Sequence, residues 1–178
     1  MEHVVLVNRL DHPVGTMEKM KAHREGKLHR AFSVFVFNRK GELLLQQRAH
    51  TKYHSGGLWT NTCCSHPRPG EDIEHAAKRR LREEMGFECD LFHAFSFIYK
   101  KHLDQGMIEH ELDHVWIGSY NGPFRINTDE VAATRFVSPE KIRNEIALSP
   151  ATFTEWFRIC FEQVEKFRSR QICQSLAI

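Results

Sequence analysis

Two pairs of side chains have the chemistry to transfer protons or to bind metal. Cys64 and His66 form the first pair, and Glu109 and Glu111 form the second, with one residue between the members of each. Side-chain direction repeats every two residues in an extended chain, so the members of a pair face the same way and can enter one cavity together. The chain also has 12 His, and imidazole is the commonest transition-metal ligand. Such pairs can bring an acid and a base into one cavity, whereas most of the histidines are expected at the surface.

The elements that must position these residues begin with buried strands. Residues 31–38 (AFSVFVFN) are apolar, β-branched or aromatic on both faces, and Arg39-Lys40-Gly41 then turns the chain into residues 42–48 (ELLLQQR). This pattern predicts a hairpin of two buried strands. Further strands are expected over residues 94–101, 113–120 and 133–137.

Helices are expected after the loops that carry glycine and proline. The first spans about residues 72–85, with Gly86 as its stop signal. Its apolar row recurs every four residues, at Ile73, Ala77, Leu81 and Met85. Ser138-Pro139 is typical of a helix start, and a last helix is expected over residues 152–168. Strands mixed with few helices indicate an α/β or α+β fold.

The composition is that of an ordinary globular enzyme. The 178 residues are 41% hydrophobic and 27% charged, so we expect one domain over residues 1–178. No run approaches the roughly 18 apolar residues of a membrane span, and the first residues lack the pattern of a secretion signal. A cytoplasmic location is therefore the expectation, with no membrane partner.

Charge and cysteine usage narrow the range of ligands. The net charge of +2 does not by itself indicate a nucleic-acid partner, but basic clusters over residues 21–30 and 78–82 suit a small anion. No Cys-x-x-Cys pair occurs, and an odd number of cysteines without a secretion signal favours reduced thiols. The five cysteines are at positions 63, 64, 89, 160 and 173.

Residues 65–87 resemble the Nudix box, a loop–helix motif that binds a divalent metal beside a diphosphate. Aligned on Glu83-Glu84, the segment keeps the early Glu at Glu71 and the Arg at Arg79, whereas Ser65 replaces a Gly and Arg80 replaces a Glu. One acidic position used in hydrolysis is thus absent. Glu84 with a diphosphate suffices to hold Mg²⁺, and Arg80 adds a bidentate phosphate donor one helical turn away. The resemblance implies a box that holds a diphosphate without cleaving it.

Residues 59–67 (WTNTCCSHP) are similar to the cysteine signature of type 1 isopentenyl-diphosphate isomerases, a branch of the Nudix superfamily. Further matching features extend over nearly the whole chain: His23, Leu28-His29, Arg48, Lys52, Tyr99, Glu109-His110-Glu111 and Phe153-Thr154-Glu155-Trp156. The resemblance implies a Nudix-like mixed β-sheet sandwiched between helices. It also implies an isomerase that converts isopentenyl diphosphate into dimethylallyl diphosphate by moving its double bond.

The same resemblance implies two metal sites. The ligands of the first would be His23, His29, His66, Glu109 and Glu111. Three imidazoles and two carboxylates suit Zn²⁺, Mn²⁺ or Fe²⁺, and an expanded geometry would favour Mn²⁺ over tetrahedral Zn²⁺, so the metal stays open. The second site would hold Mg²⁺ on Glu84 together with the diphosphate.

For catalysis the resemblance assigns a thiol and a carboxylate, Cys64 and Glu111, with Tyr99 hydrogen-bonding at the carboxylate. Shifting an unactivated double bond requires one acid and one base, and it passes through a state resembling a tertiary carbocation. We prefer Glu111 as the proton donor and Cys64 as the acceptor, and the reverse is possible because the reaction is reversible. A metal or cations nearby are expected to lower the pKa of Cys64.

Trp156 would place its indole face against the developing cation. By resemblance, cationic donors to the diphosphate would be Lys19, Arg48, Lys52 and Arg80. The partner expected is thus a small-molecule diphosphate, and no obligatory protein partner is evident.

Two other functions compete with the isomerase. A Nudix hydrolase of nucleoside diphosphate derivatives is disfavoured by Arg80 in place of an acid. A metal- or RNA-binding module that uses the histidines and residues 78–82 is disfavoured by the low net charge and the lack of aromatic residues interleaved for base stacking. The histidines that match no ligand of the family are interpreted as exposed or locally bonded: His75, His93, His102, His110 and His114.

Overall fold

A computed structural model describes residues 2–175 of the chain, with side chains to residue 171. The predicted free thiol of Cys173 lies outside the described side chains. The strands are β1 (His3–Val7), β2 (Pro13–Glu18), β3 (His29–Phe37), β4 (Leu43–Arg48), β5 (Trp59–Thr60), β6 (Cys63–Ser65), β7 (Leu91–His102), β8 (Ile108–Ser119) and β9 (Val131–Val137). The helices are α1 (Lys19–Glu25), α2 (Ile73–Met85), α3 (Pro139–Leu148) and α4 (Glu155–Ser175), with 3₁₀ turns at Asp104–Gly106 and Pro150–Thr152.

Strand β3 is the centre of a mixed sheet. It runs parallel to β8, in a register that pairs His29 with Glu111 and Phe37 with Ser119. It also pairs antiparallel with β6, where Ser33 lies opposite Cys64. Strand β8 in turn pairs with β7, and β4 pairs with both β5 and β9. The central strand thus lies next to the site residues of two other segments of the chain, β6 and β8.

The predicted hairpin between β3 and β4 is wrong beyond its first residue pair. The two strands pair only at Phe37 and Leu43. Beyond that pair β3 joins β6 and β8, whereas β4 joins β5 and β9. Both segments are apolar on both faces, which specifies burial but leaves the neighbouring strand undetermined.

Apolar side chains pack on both faces of the sheet. From β3, Phe32, Val34 and Val36 pack with Leu81 of α2 in one cluster. The alternate residues Phe35 and Phe37 pack in a second cluster with Ile142 of α3 and with Trp156, Phe157 and Phe161 of α4. The mixed sheet therefore lies between helices, as the sequence predicted, in an α+β fold.

Helix α2 begins and ends at the predicted signals. The Asp72 side chain caps its N-terminus by accepting a hydrogen bond of 3.0 Å from the backbone N–H of His75. Gly86 caps its C-terminus in the left-handed conformation, with φ of 73°. A Cβ there would lie 2.1 Å from the carbonyl oxygen of Arg125. Only glycine fits this position without moving the backbone of that loop.

The remaining boundaries differ from the prediction by several residues. Helix α4 begins at Glu155, because residues 150–152 form a 3₁₀ turn. The N-terminal elements β1, β2 and α1 were not predicted, although α1 carries one of the candidate metal ligands. None of the helices over residues 2–175 is both long and apolar enough to cross a bilayer.

Candidate active site

Three histidines converge on one carboxylate oxygen beside β3. His23 lies on α1, His29 begins β3, His66 follows β6, and Glu111 lies opposite His29 on β8. The Nε2 atoms of His23, His29 and His66 lie 3.9, 3.4 and 3.0 Å from Oε1 of Glu111. The ligating atoms of these four buried residues all lie within 4.8 Å of one another. The parallel pairing of β3 and β8 makes this convergence possible.

Two of the three histidines, His23 and His29, are oriented as metal ligands are, whereas Nδ1 of His66 is buried without a hydrogen-bond partner among the described residues. Nδ1 of His23 donates to the carbonyl oxygen of Lys19, and Nδ1 of His29 donates to that of Lys27, each at 2.8 Å. A carbonyl oxygen only accepts, so Nδ1 carries the proton and the lone pair of Nε2 faces the group. Nε2 of His23 is buried without a hydrogen-bond partner among the described residues. These orphaned and facing nitrogens fit a divalent metal.

The charge states also suit metal binding. Burial lowers the pKa of His23, and it lowers the pKa of His66 to about 4. Burial alone would raise the pKa of Glu111, but whenever Nε2 of His29 or His66 is protonated, its hydrogen bond to the carboxylate holds this pKa well below its ordinary value, and a divalent metal would take the place of that proton. Neutral imidazoles and an ionised carboxylate are the forms that bind metal.

Glu109 lies beside this group and not in it. Its Oε2 lies 3.0 Å from the Tyr99 hydroxyl, which also lies 2.7 Å from Oε2 of Glu111. Its Oε1 lies 3.5 Å from Nε2 of His54. Burial and the charge of Glu111 raise the pKa of Glu109 well above its ordinary value. A protonated Glu109 can donate to the Tyr99 oxygen, which leaves the Tyr99 proton free to bond Glu111. The role of Glu109 as a metal ligand stays a prediction.

The adjacent cysteines lie on opposite faces of the sheet. Cys63 is fully buried in the cluster that packs against α2. Cys64 is half-buried and lines a cavity together with His66, Glu109 and Glu111. The two-residue spacing between Cys64 and His66 thus predicted correctly which thiol shares a cavity with His66.

The pKa of Cys64 departs from the expectation. Burial raises it to about 12, although the charge of Arg48 lowers it. Nη1 of Arg48 lies 4.0 Å from the Cys64 sulfur. Among the residues that the structure describes, this cation does not compensate for burial, so the protonated thiol is the stable form at neutral pH.

The cations predicted to bind diphosphate line this same cavity, and each has a protein partner. The four are Lys19, Arg48, Lys52 and Arg80. Lys19 pairs with Glu2 at 2.8 Å, and Nη2 of Arg48 donates to the carbonyl oxygen of His54 at 3.2 Å. Lys52 is bonded to Glu130. Arg80 contacts Glu84, and its Nη2 lies 3.3 Å from Glu130. Glu84 also accepts a hydrogen bond of 2.9 Å from Gln46.

Comparison with known proteins agrees with this arrangement. The NUDIX domain model matches residues 27–157. An isopentenyl-diphosphate Delta-isomerase of Pectobacterium atrosepticum is 49% identical over 96% of this chain and 98% of its own length. One of Photorhabdus laumondii, isopentenyl-diphosphate Delta-isomerase 2, is 49% identical over 94% of this chain and 97% of its own. The chain belongs to the isopentenyl-diphosphate Delta-isomerase family of Nudix proteins.

Solved structures share the Nudix fold at low sequence identity. A Deinococcus radiodurans protein matches with a TM-score of 0.74 and 20% identity, covering 89% of this chain and 96% of its own. A MutT protein of Methanosarcina mazei matches with a TM-score of 0.65 and 20% identity, covering 78% and 94%. These likenesses confirm the fold.

The two ends of the Nudix box lie in different places: its last residues line the cavity, and its first ones do not. Glu84 is buried and lines the cavity with Arg80. Glu71 does not line it, and its carboxylate is held by Arg79 at 2.6 and 2.8 Å. The early Glu and the Arg of the box thus brace the loop before α2, whereas the end of the box faces the site.

Trp156 lines the cavity, with its indole N–H donating to Oδ1 of Asn61 at 3.1 Å. The guanidinium of Arg48 lies 5.2 Å from its ring centre. A cation of the chain therefore faces this ring, and a contact of the ring with the developing cation of the substrate stays a prediction. The hydrogen bond to Asn61 fixes the plane of the ring.

Several site residues escaped the sequence analysis. Tyr53 and His54 line the cavity, and burial lowers the pKa of His54 to about 2. They lie within KYHSGG (residues 52–57), directly after the predicted Lys52. Asp113 continues the alternation of Glu109 and Glu111, and it accepts a hydrogen bond of 2.8 Å from Ser33. That alternation was a usable signal for Asp113.

The histidines set aside are exposed or locally bonded, as predicted. His75, His93 and His102 are exposed. His110 bonds the carbonyl oxygen of Gly26 at 2.9 Å, and His114 contacts Asp11 at 3.0 Å.

Proposed function

We propose that this chain interconverts isopentenyl diphosphate and dimethylallyl diphosphate. One observation carries the proposal: a thiol and a carboxylate that can exchange protons share a cavity with four cations that can hold a diphosphate. The names of the relatives support the same substrate. Arg80 stands where Nudix hydrolases need an acid, which supports holding the diphosphate without cleaving it.

The diphosphate is the part of the substrate that this site grips. Lys19, Arg48, Lys52 and Arg80 supply charge-assisted donors to its oxygens. Glu84 lines the same cavity in contact with Arg80, and this carboxylate and the phosphate oxygens would together hold Mg²⁺. The hydrocarbon end then extends toward Cys64, Glu111 and Trp156.

Cys64 and Glu111 perform the two proton transfers. One adds a proton to the terminal carbon of the double bond, and the other removes a proton from the allylic carbon, so the atoms of the substrate are conserved. Glu111 as the proton donor and Cys64 as the acceptor stay the proposed direction, and the reverse is the alternative because the reaction is reversible. The Tyr99 hydroxyl, 2.7 Å from Glu111, holds that carboxylate in place.

His23, His29, His66 and Glu111 would hold a second divalent metal, Mn²⁺ or Zn²⁺, with Glu109 as a further candidate ligand. When bound, the metal supplies positive charge that orients Glu111 and tunes its basicity. The single domain over residues 1–178, the cytoplasmic location and the lack of a nucleic-acid partner stay predictions.

The test is an isomerase assay with a hydrolase arm. Purified protein with Mg²⁺ and Mn²⁺ is incubated with isopentenyl diphosphate, and acid-labile allylic product is measured. Parallel samples with nucleoside diphosphate derivatives are assayed for released phosphate and pyrophosphate. We expect product in the first arm and negligible release in the second. Folded, metal-loaded protein that forms no allylic product would refute the proposal, and vigorous release would favour a hydrolase.

A further inference from the structure

Glu130 contacts two of the four cavity cations from outside the cavity lining. Its carboxylate is bonded to Lys52 and lies 3.3 Å from Nη2 of Arg80. The side chains of Lys52, Arg80 and Glu130 are 19%, 17% and 25% exposed. Half-buried charges of this kind need a partner, because an unpaired charge away from water is costly. Glu130 supplies that partner for both cations.

The backbone holds Glu130 in this position. Its N–H donates to the carbonyl oxygen of Asn127, and its own carbonyl accepts from the N–H of Ala49, each at 3.0 Å. The second bond ties the start of β9 to the segment that leads from Arg48 to Lys52. The carboxylate is therefore positioned by the fold and not by a chance meeting of mobile side chains.

Glu130 and a bound diphosphate would require the same donors. Nη2 of Arg80 faces both Glu84 and Glu130, and the ammonium of Lys52 faces Glu130. A diphosphate offers these groups more negative charge and more acceptor oxygens than a single carboxylate does, so the donors would turn to it. Glu130 would then remain as a negative charge close to a negative ligand. Burial raises its pKa, but the hydrogen bond and charge of Lys52 hold it below the ordinary value, so it stays ionised.

We propose that Glu130 is an internal counter-ion of the diphosphate seat, which competes with bound diphosphate for Lys52 and Arg80 and so limits how tightly any diphosphate is held. The inference rests on the proposed function, in which these cations bind the substrate. It assigns to Glu130 a part in binding and release and none in the proton transfers.

The chemistry of the reaction gives this weakening a purpose. The shift of a double bond leaves the diphosphate unchanged, so contacts with it are equally strong in substrate, transition state and product. Such uniform binding lowers KM without raising kcat, and it slows product release. With Glu130 competing for them, the cations still bind the diphosphate tightly enough to position the substrate, and the product can dissociate.

The experiment measures binding of inorganic pyrophosphate with Mg²⁺ by calorimetry on the full chain, without turnover. Glu130→Gln removes the charge and keeps the size, and Glu130→Asp keeps the charge. The matched control is Glu145→Gln, because Glu145 pairs with Arg135 at 2.6 Å outside the cavity and is also 25% exposed. Thermal melts verify that each variant is folded.

Glu130→Gln should bind pyrophosphate about fivefold more tightly than wild type, the effect expected of half-exposed ion pairs. Glu145→Gln and Glu130→Asp should stay within about twofold of wild type, and the gain should shrink as salt rises. In turnover, Glu130→Gln should lower KM for isopentenyl diphosphate and leave kcat equal or lower.

Unchanged affinity in folded Glu130→Gln would overturn the inference. Weaker binding that depends on Mg²⁺ would also overturn it, and would make Glu130 a metal ligand instead. An equal gain in Glu145→Gln would reduce the effect to net charge. If Glu130→Gln does not fold, Glu130→Asp decides: pyrophosphate binding more than about twofold weaker than wild type would overturn the inference, because a shorter carboxylate cannot compete more strongly for Lys52 and Arg80. Isomerase activity with unchanged affinities would refute this inference alone, whereas the expected affinities without activity would refute the proposed function alone.

Discussion

The two adjacent thiols should respond differently to replacement by alanine. Cys63→Ala should lower stability and nearly preserve turnover, whereas Cys64→Ala should lower turnover and nearly preserve stability. Cys63 is fully buried among Phe32, Val34 and Leu81, so Cys63→Ala removes a sulfur from a packed core. A deletion of this size costs about 1 kcal/mol. For a chain of this length that corresponds to a fall in Tm of about 2–4 °C. Turnover should stay within a few-fold of wild type, because Cys63 faces away from the cavity.

Cys64→Ala should give the converse result. The Cys64 thiol is half-buried at the cavity wall, so its removal enlarges a cavity that already exists and should change Tm by less than about 1 °C. If the thiol transfers a proton, its loss should lower kcat by about 10²–10⁴-fold, the usual contribution of a general acid or base. Binding of diphosphate should persist, because that interaction is not specific to the transition state.

The assay compares kcat, Tm and metal content of both variants and wild type, with turnover measured in D₂O. Deuterium that enters recovered isopentenyl diphosphate of Cys64→Ala would show that Glu111 can protonate the double bond without the thiol. If wild type incorporates deuterium into recovered isopentenyl diphosphate and Cys64→Ala does not, the result would support the thiol as the donor. An inactive Cys63 variant beside an active Cys64 variant would refute the assignment of the faces and with it the catalytic pair.

Two further predictions concern the metal group and the loop before α2. His66→Ala should lose most of the bound transition metal while the fold persists, because the remaining ligands form an incomplete shell; full occupancy by metal analysis would contradict the assignment. For Glu71, the hydrogen bonds from Arg79 lower the pKa below 4.5, so the pair stabilises the fold above that pH and its contribution is lost as pH falls through the lowered pKa. Glu71→Gln should melt roughly 1–3 °C below wild type at pH 7, and the two Tm values should converge as pH falls through the lowered pKa; a gap that does not change with pH would show that charge is not the cause.

Local signals in the sequence were sufficient wherever a short segment decides its own structure. Helix α2 was predicted to within a residue because Asp72 and Gly86 act on the backbone next to them. Alternation likewise placed Glu109 and Glu111 on one face, where both contact Tyr99. The four residues of the metal group came from the resemblance to a family, since their positions range from 23 to 111 and no local rule relates them.

Non-local pairing and burial account for what the sequence did not predict. The partner of β3 is β8, about 80 residues later, and this choice depends on competition among several apolar strands. Strand β2 is largely exposed and has no alternating apolar pattern to reveal it. The resemblance suggests cations near Cys64, but the sequence does not show the depth of the cavity wall, where burial raises the pKa of the thiol although Arg48 lowers it. Competition between Glu130 and phosphate for Lys52 was invisible, because the two residues are 78 positions apart.

The site divides its two tasks between different elements of the fold. Proton transfer is assigned to residues of β6, β7 and β8 around the central strand, whereas the cations come from α1, β4, α2 and the loop after β4. Replacing the acid of a hydrolase by Arg80 therefore alters the diphosphate end without disturbing the strands that carry Cys64 and Glu111. Because the proposed reaction leaves the diphosphate unchanged, we expect the cations to set affinity and release, and the residues on the strands to set the rate of the chemical step. A fold with the two sets on separate elements can adjust affinity through a residue such as Glu130 while the geometry of proton transfer is retained.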